Sequence, residues 1–294
     1  MPHTALFFRQ QLTFSSHNDL PVNADAPMDV YLFNSNTIAS EQITALAAQY
    51  LQPQEQSIFT KRKQLQAKQE YLASRFIIKT YASQYFGYDF DSLTVLFDDK
   101  DTCLKVYQHG QAIALRSCIS HSHGQVLIAL VPSQQSAALQ SIQLGVDLEW
   151  LSTKRSLEKV AKHYYHSEEL RACMAQTEYV AEGVTEDITE DVTEKKSKAV
   201  HAKALYRIWT LKEALAKAIK QPIATLLRDN VFEHCQSLNV RSGRYEALDK
   251  ELDEVPSGVV SKTFDISIIS DIELTDDTHI QILTNTLVDT VLVQ

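Results

Sequence analysis

Two stretches of this chain echo each other, and the echo constrains the fold more than any single motif. Ala47–Glu55 reads AAQYLQPQE and Ala161–Glu169 reads AKHYYHSEE; further on, Tyr71–Ala82 reads YLASRFIIKTYA and Ile208–Ile219 reads IWTLKEALAKAI. Each pair follows a strand-like run, Met28–Phe33 (MDVYLF) in the first case and Gly145–Glu149 (GVDLE) in the second. A strand, a helix, a short break with an acid and a longer helix, met twice, predict an α/β (α+β) fold. The expected architecture is a pseudo-two-fold duplicated α/β unit, with halves 1–140 and 141–294 and any functional site in the cleft between the two similar halves. Glu55 precedes Leu72 by 17 residues and Glu169 precedes Trp209 by 40. The excess of 23 points to an insertion in the second copy.

That insertion is visible as VTEDITEDVTEK, an (I/V)-T-E-D unit of period four within residues 177–200. Residues 177–194 carry Glu178, Glu182, Glu186, Asp187, Glu190, Asp191 and Glu194 with no lysine or arginine. Val, Ile and Thr are weak helix formers and the charge is high, so a mobile, solvated segment is expected. Taking those seven acids from the net charge of −9 leaves −2, so the folded body is nearly neutral and can carry a basic face. No apolar run approaches membrane-spanning length, and the N-terminus lacks the pattern of a secretory signal. Cys103, Cys118, Cys173 and Cys235 are widely spaced without a CxxC pair, which favours reduced thiols in the cytoplasm over a disulfide framework or a zinc site.

The rest of the chain fills in the two units. The first 27 residues suggest an edge strand or loosely packed arm. Ser40–Tyr50 reads as a helix with Ser40 at its N-cap, Pro53 breaks it, and Ser57–Tyr85 follows as one long helical region, basic and then apolar. Strands are predicted at Leu93–Phe97, Lys105–Tyr107, Ile113–Leu115, Val126–Val131 and Ile142–Trp150, with Ser120–Gly124 as an interruption. Helices are predicted around Leu157–Tyr165, from Ser167, and over Ala202–Lys220. Strands at Thr263–Ile269, Ile280–Leu283 and Thr290–Val293 close the chain.

The chemistry concentrates in three places. In LGVDLEW, Asp147 and Glu149 stand two apart, so on a strand both carboxylates point the same way. In RIWTLKEALAKAIK, Trp209, Glu213 and Lys217 share one helical face at i, i+4 and i+8. Taken singly these are ordinary: two acids at a strand end, a Glu–Lys helix pair, a packed tryptophan. Together, three carboxylates can hold a divalent cation and a lysine can hold a phosphate. The third place is Ser120–His121–Ser122, alone just a polar turn.

The ordered set SHS, then GVDLE, then W-x-x-K-E-x-x-x-K resembles the 4′-phosphopantetheinyl transferases, and the two-half length resembles their Sfp type. The resemblance runs from about Met28 to about Ile223 and is weak outside the motifs. It implies transfer of the 4′-phosphopantetheine arm of coenzyme A to a serine of an apo acyl or peptidyl carrier protein. It implies Mg2+ held by Asp147, Glu149 and Glu213, with Glu169 as a further acid close to the metal. Glu213 would double as general base, and Lys217 would contact the phosphate being transferred or released. Ser120 and His121 would meet the nucleotide end of coenzyme A, with Lys61, Arg62, Lys63, Lys68 and Arg75 as candidate phosphate contacts. The chain departs from the family pattern in three places. Gly110–Gln111–Ala112 stands where Gly-Lys-Pro or Gly-Arg-Pro is usual. Lys220 stands where a glycine is frequent. His123 displaces the glycine after SHS to Gly124.

Lys203, Arg207, Lys212 and Lys220, beside Leu205, Ile219 and Ile223, are the expected docking surface for an acidic carrier protein. No nucleic acid or membrane partner is expected, and a monomer suffices because one chain supplies both halves. Two other functions compete. A different magnesium-dependent phosphoryl-transfer enzyme would use the same acids but leave SHS and the echo unexplained. A non-enzymatic acidic adaptor would bind through residues 177–200.

Overall fold

The computed structural model describes residues 12–133, 141–152, 157–182, 190–249, 260–274 and 278–284. The first half runs β1 (Thr13–His17), β2 (Asp29–Asn34), α1 (Ile43–Tyr50), α2 (Pro53–Thr60), α3 (Leu65–Phe86), β3 (Leu93–Asp98), β4 (Cys103–Gln108), β5 (Gln111–Ala112), β6 (Leu115–Ser122) and β7 (Gln125–Pro132). The second half runs β8 (Leu144–Trp150), α4 (Leu157–Tyr164), α5 (Ser167–Glu182), α6 (Glu190–Ala218), α7 (Ile223–Leu226), α8 (Val231–His234), β9 (Asn239–Asp249), β10 (Val260–Ser270) and β11 (His279–Leu283).

Period-two alternation explains how these elements stack. On β2, Val30 and Leu32 point into one core while Tyr31 and Phe33 point into another; β7 divides the same way, with Leu127, Ala129 and Val131 opposite Val126, Ile128 and Leu130. The central core lies between the two larger sheets and draws on both, adding Leu144, Val146 and Leu148 of β8 and Phe264, Ile266 and Ile268 of β10. Helices cover the outer faces: α1–α3 over the first sheet, α4–α8 over the second. The result is a mixed α+β fold with sheet packed on sheet inside two helical layers.

The first sheet has the order β1-β11-β2-β7-β6 and the second β8-β10-β9; β3-β4-β5 form a small third sheet. In each half the opening strand (β2 or β8) pairs antiparallel with the closing one (β7 or β10), which in turn pairs antiparallel with the strand before it. Among the described residues, β11 from beyond the expected boundary near residue 140 inserts parallel between β1 and β2 of the first sheet.

Several local expectations are corrected. Ser40 does not cap α1: its hydroxyl bonds Glu41, and the helix starts two residues later than a Ser40 cap requires, with Gln42 at the cap. The long helical region starts earlier and divides in two: Pro53 opens α2 at N1 with a Gln52–Glu55 capping box, α2 ends at Thr60, and α3 begins at Leu65. Ser120–Ser122 do not interrupt a strand but end β6; His123 (φ 50°) and Gly124 (φ 83°) form a two-residue hairpin turn with both residues left-handed. A Cβ on Gly124 would also collide with the Asn36 side chain at 2.1 Å. The acidic stretch is helical at both ends, since α5 runs to Glu182 and α6 begins at Glu190; the remainder of the expected insertion and the strand at Thr290–Val293 lie outside the described residues. Strand β9 went unpredicted because Arg241, Gly243 and Arg244 mask its alternation.

Candidate active site

The two half-sheets meet along β6 and β8, and side chains make the seam. The backbone N–H groups of Val146, Leu148 and Trp150 donate to Cys118 Sγ (3.3 Å), Ser120 Oγ (3.3 Å) and Ser122 Oγ (3.2 Å). Three short polar side chains at alternate positions thus stand in for the carbonyls that a neighbouring strand would supply. Ser120 also donates to Asp147 Oδ1 at 2.8 Å. The serine expected at the nucleotide is therefore turned toward the first metal candidate.

Helix α6 approaches β8 unusually closely. A Cβ on Gly145 would lie 1.8 Å from the carbonyl oxygen of Ala214, so only glycine permits the contact. At this distance Lys217 Nζ donates to the Val146 carbonyl and to Asp147 Oδ1, both at 2.9 Å. Burial pulls the Lys217 ammonium toward neutrality, but Asp147, Cys118 and Glu213 outweigh it and hold its pKa above the ordinary lysine value. Lys217 and Ser120 both engage Oδ1 of Asp147. Glu149 and Glu213 are half-buried, on β8 and α6 respectively. Facing Glu149 across the β8–β10 ladder is Asp265, fully buried and bonded by Arg207 and Arg244. Carboxylate oxygens suit a hard divalent ion. Among the described residues, however, no three His, Cys, Asp or Glu side chains are gathered as a ready chelate.

Glu169 has a different setting. Its Oε1 accepts from Lys212 Nζ (2.9 Å) and the Val231 N–H (2.8 Å), and its Oε2 from the His166 N–H (2.9 Å). Both ionic side chains are completely buried. Glu55 repeats this pattern in the first half, with Lys79 (2.7 Å) and the N–H groups of Val95 (2.9 Å) and Gln52 (2.7 Å). The acid expected near the metal is committed to a buried ion pair that ties α5 to α6. For the same reason the expected docking surface is corrected: Lys212 is buried with Glu169 and Arg207 with Asp265.

Beside the seam lies a cavity of about 300 Å³, lined from the first half by Arg62, Arg75, Arg116 and His121 and from the second by Leu144 and Lys217. The guanidinium groups of Arg62 and Arg75 lie over the Tyr71 ring at 4.6 and 3.8 Å. The Nε atoms of Arg62, Arg75 and Arg116 are buried without a hydrogen-bond partner. Burial holds the Arg75 guanidinium below its ordinary pKa. Three guanidinium groups with buried, unmet Nε donors beside one cavity make a setting that suits an anion.

Of the predicted basic residues, Arg62 and Arg75 reach this cavity; Lys61 and Lys63 are exposed, and Lys68 lies over the Phe59 ring at 5.5 Å. Arg116 had no sequence signal of its own beyond being a charged residue in an otherwise strand-like run four residues before Ser120. On β6 it is buried and donates to Cys103 Sγ at 3.0 Å. Glu70 and Phe97, also at the cavity, were likewise missed.

No curated protein matches the chain. Residues 143–257, a segment that starts one residue before β8 and contains Asp147, Glu149, Glu169, Glu213 and Lys217, match the family model of the 4′-phosphopantetheinyl transferase superfamily.

Proposed function

We propose that this chain transfers the 4′-phosphopantetheine arm of coenzyme A to a serine of an apo acyl or peptidyl carrier protein, as an enzyme of the Sfp type with a duplicated α/β unit. The observation that carries the reading is the cavity itself, in which Arg62, Arg75, Arg116, His121 and Lys217 converge beside Asp147. It supplies cations where a polyphosphate needs them, and its second-half wall belongs to the segment matched by the superfamily model. The like strand order in the two halves, and the like surroundings of Glu55 and Glu169, support the duplication.

In this reaction the serine Oγ of the carrier forms a bond to the β-phosphorus of coenzyme A. The bond from that phosphorus to the bridging oxygen breaks, and adenosine 3′,5′-bisphosphate leaves. Arg62, Arg75 and Arg116 hold the phosphates, which fixes the β-phosphorus for in-line attack. Lys217, anchored on the Val146 carbonyl, offers its ammonium to the oxygens that gain charge. Glu213, which contributes to the charged environment of Lys217, takes the serine proton. Asp147, Glu149 and Glu213 are the residues that would hold Mg2+, which would neutralise phosphate charge when bound. Glu169 is left out of this set. The free cysteines fit a reducing cytoplasm, and among the described residues no helix is long and apolar enough to cross a membrane.

The direct test is intact-mass measurement of several apo carrier proteins incubated with the chain, coenzyme A and magnesium. One added phosphopantetheine arm is expected on at least one carrier, and no addition on any would defeat the reading. Glu213→Gln with near-normal turnover would remove Glu213 as the base.

A further inference from the structure

Within the cavity wall stands one acid, Glu70 of α3, among five basic groups. A carboxylate in an anion site is adverse by itself, because its charge repels a phosphate. Its hydrogen bonds show what offsets that. Oε1 accepts from Gln66 Nε2 (2.7 Å) and from the Gly124 N–H (3.1 Å), and Oε2 lies 3.0 Å from His121 Nδ1. Glu70 is 7% exposed, while His121 is 52% exposed. The carboxylate is thus pinned by its own helix and by the β6–β7 turn. Burial would raise the Glu70 pKa, but the bonds from His121, Gln66 and Gly124 overcome this and keep it below the usual glutamate value.

The consequence falls on the histidine. With Nδ1 committed to Glu70, Nε2 is the nitrogen left for a ligand. A neutral ring protonated at Nδ1 presents only a lone pair at Nε2, which a phosphate oxygen rejects. A ring protonated on both nitrogens presents an N–H to the phosphate, with its charge balanced by Glu70 behind it. The cavity wall also carries Arg62 and Arg75 on the helical side, Arg116 on β6 and Lys217 on α6, with Asp147 paired to Lys217, while His123 of the turn feels both Lys262 and Glu70. Among the cavity-lining residues Glu70 is the one acid, and it is the carboxylate that pairs with the His121 ring.

We infer that Glu70 is a positioning residue, which orients His121 through Nδ1 so that Nε2–H donates to a phosphate group of the bound nucleotide. This rests on the coenzyme A reading of the cavity. The same carboxylate, through Gly124, ties the left-handed hairpin turn to α3, so the histidine is held at both its backbone and its ring.

The test is isothermal titration calorimetry of the full chain with adenosine 3′,5′-bisphosphate, without metal. The proteins are wild type, Glu70→Gln, His121→Gln and the double variant. Losing one charge-assisted hydrogen bond should weaken binding about tenfold in either single variant. The double variant should be no weaker than His121→Gln, because the two residues act as one unit. Unchanged or tighter binding by Glu70→Gln, or fully additive losses, would overturn the inference. Absence of binding by the wild type would instead overturn the nucleotide reading beneath it. Should Glu70→Gln fail to fold, 15N NMR of the wild-type His121 ring decides. Protons on both nitrogens in the bound state are expected, and an unprotonated Nδ1 would refute the role.

Discussion

Lys212→Met should cost stability, and it should do so for a reason that separates the Glu169 ion pair from the catalytic machinery. Lys212 and Glu169 are both completely inaccessible. The ammonium also donates to the carbonyls of Leu226 (3.1 Å) and Asp229 (2.6 Å), which holds α7 and the turn after it against α6. Burial acts on both charges, raising the carboxyl pKa and lowering that of the ammonium, with mutual attraction opposing each shift. Removing the lysine leaves a buried carboxylate with only two backbone N–H partners, and breaking such a pair costs about 3–5 kcal/mol. At roughly 2 °C per kcal/mol for a chain of this size, Tm should fall by about 6–10 °C. Calorimetric unfolding measures this directly. The companion variant Glu169→Leu/Lys212→Met should recover only part of the loss, because it removes the lone buried charge but leaves the Val231 N–H and the Asp229 carbonyl without their side-chain partners. Wild-type Tm in Lys212→Met together with abolished transfer would refute the structural role and return Glu169 and Lys212 to the active site.

Other consequences follow from named contacts. Burial pushes the Asp29 carboxyl up to about 6, against 3.8 for a free aspartate, so the native state favours the protonated form. Stability should therefore be greatest below about pH 4 with respect to this group and fall by about 3 kcal/mol as pH rises through 6; Asp29→Asn should flatten that part of a urea-unfolding pH series. Gly145→Ala would set a methyl group against the backbone of Ala214 and Ala218, costing about 3 kcal/mol or more and pulling Lys217 from Asp147, seen as lower Tm together with lower turnover. Arg116→Gln removes a buried cation with an unmet Nε donor, so Tm should hold or rise while affinity for adenosine 3′,5′-bisphosphate falls about tenfold or more; a lower Tm with unchanged affinity would contradict the cavity assignment.

Much of the site was legible in the residues alone. GVDLE and W-x-x-K-E-x-x-x-K carry period-two and period-four placement in their spacing, and the structure does make the first a strand and the second part of a helix; that Asp147 then meets Lys217 is a contact between the two that neither spacing contains. The alternation of strand-like and helix-like runs likewise anticipated a mixed α+β fold, because each element buries its own periodic face.

Burial of charge was not legible. Lys212, Arg207 and Glu169 look like surface residues in a sequence, since charged side chains are rarely inside; only the packing of α5, α6 and β10 shows that each has a partner there. The residues of the cavity were scattered for a similar reason. Arg62 and Arg75 belong to the α2–α3 region, Arg116 to β6 and Lys217 to α6, and nothing local relates them. The sequence by itself determined which side chains share a face of one strand or helix, because that depends on backbone periodicity within a few residues. The tertiary structure alone decided which faces meet, which charges lose water, and that β11 returns to the first sheet, because those outcomes depend on contacts between residues far apart in the chain.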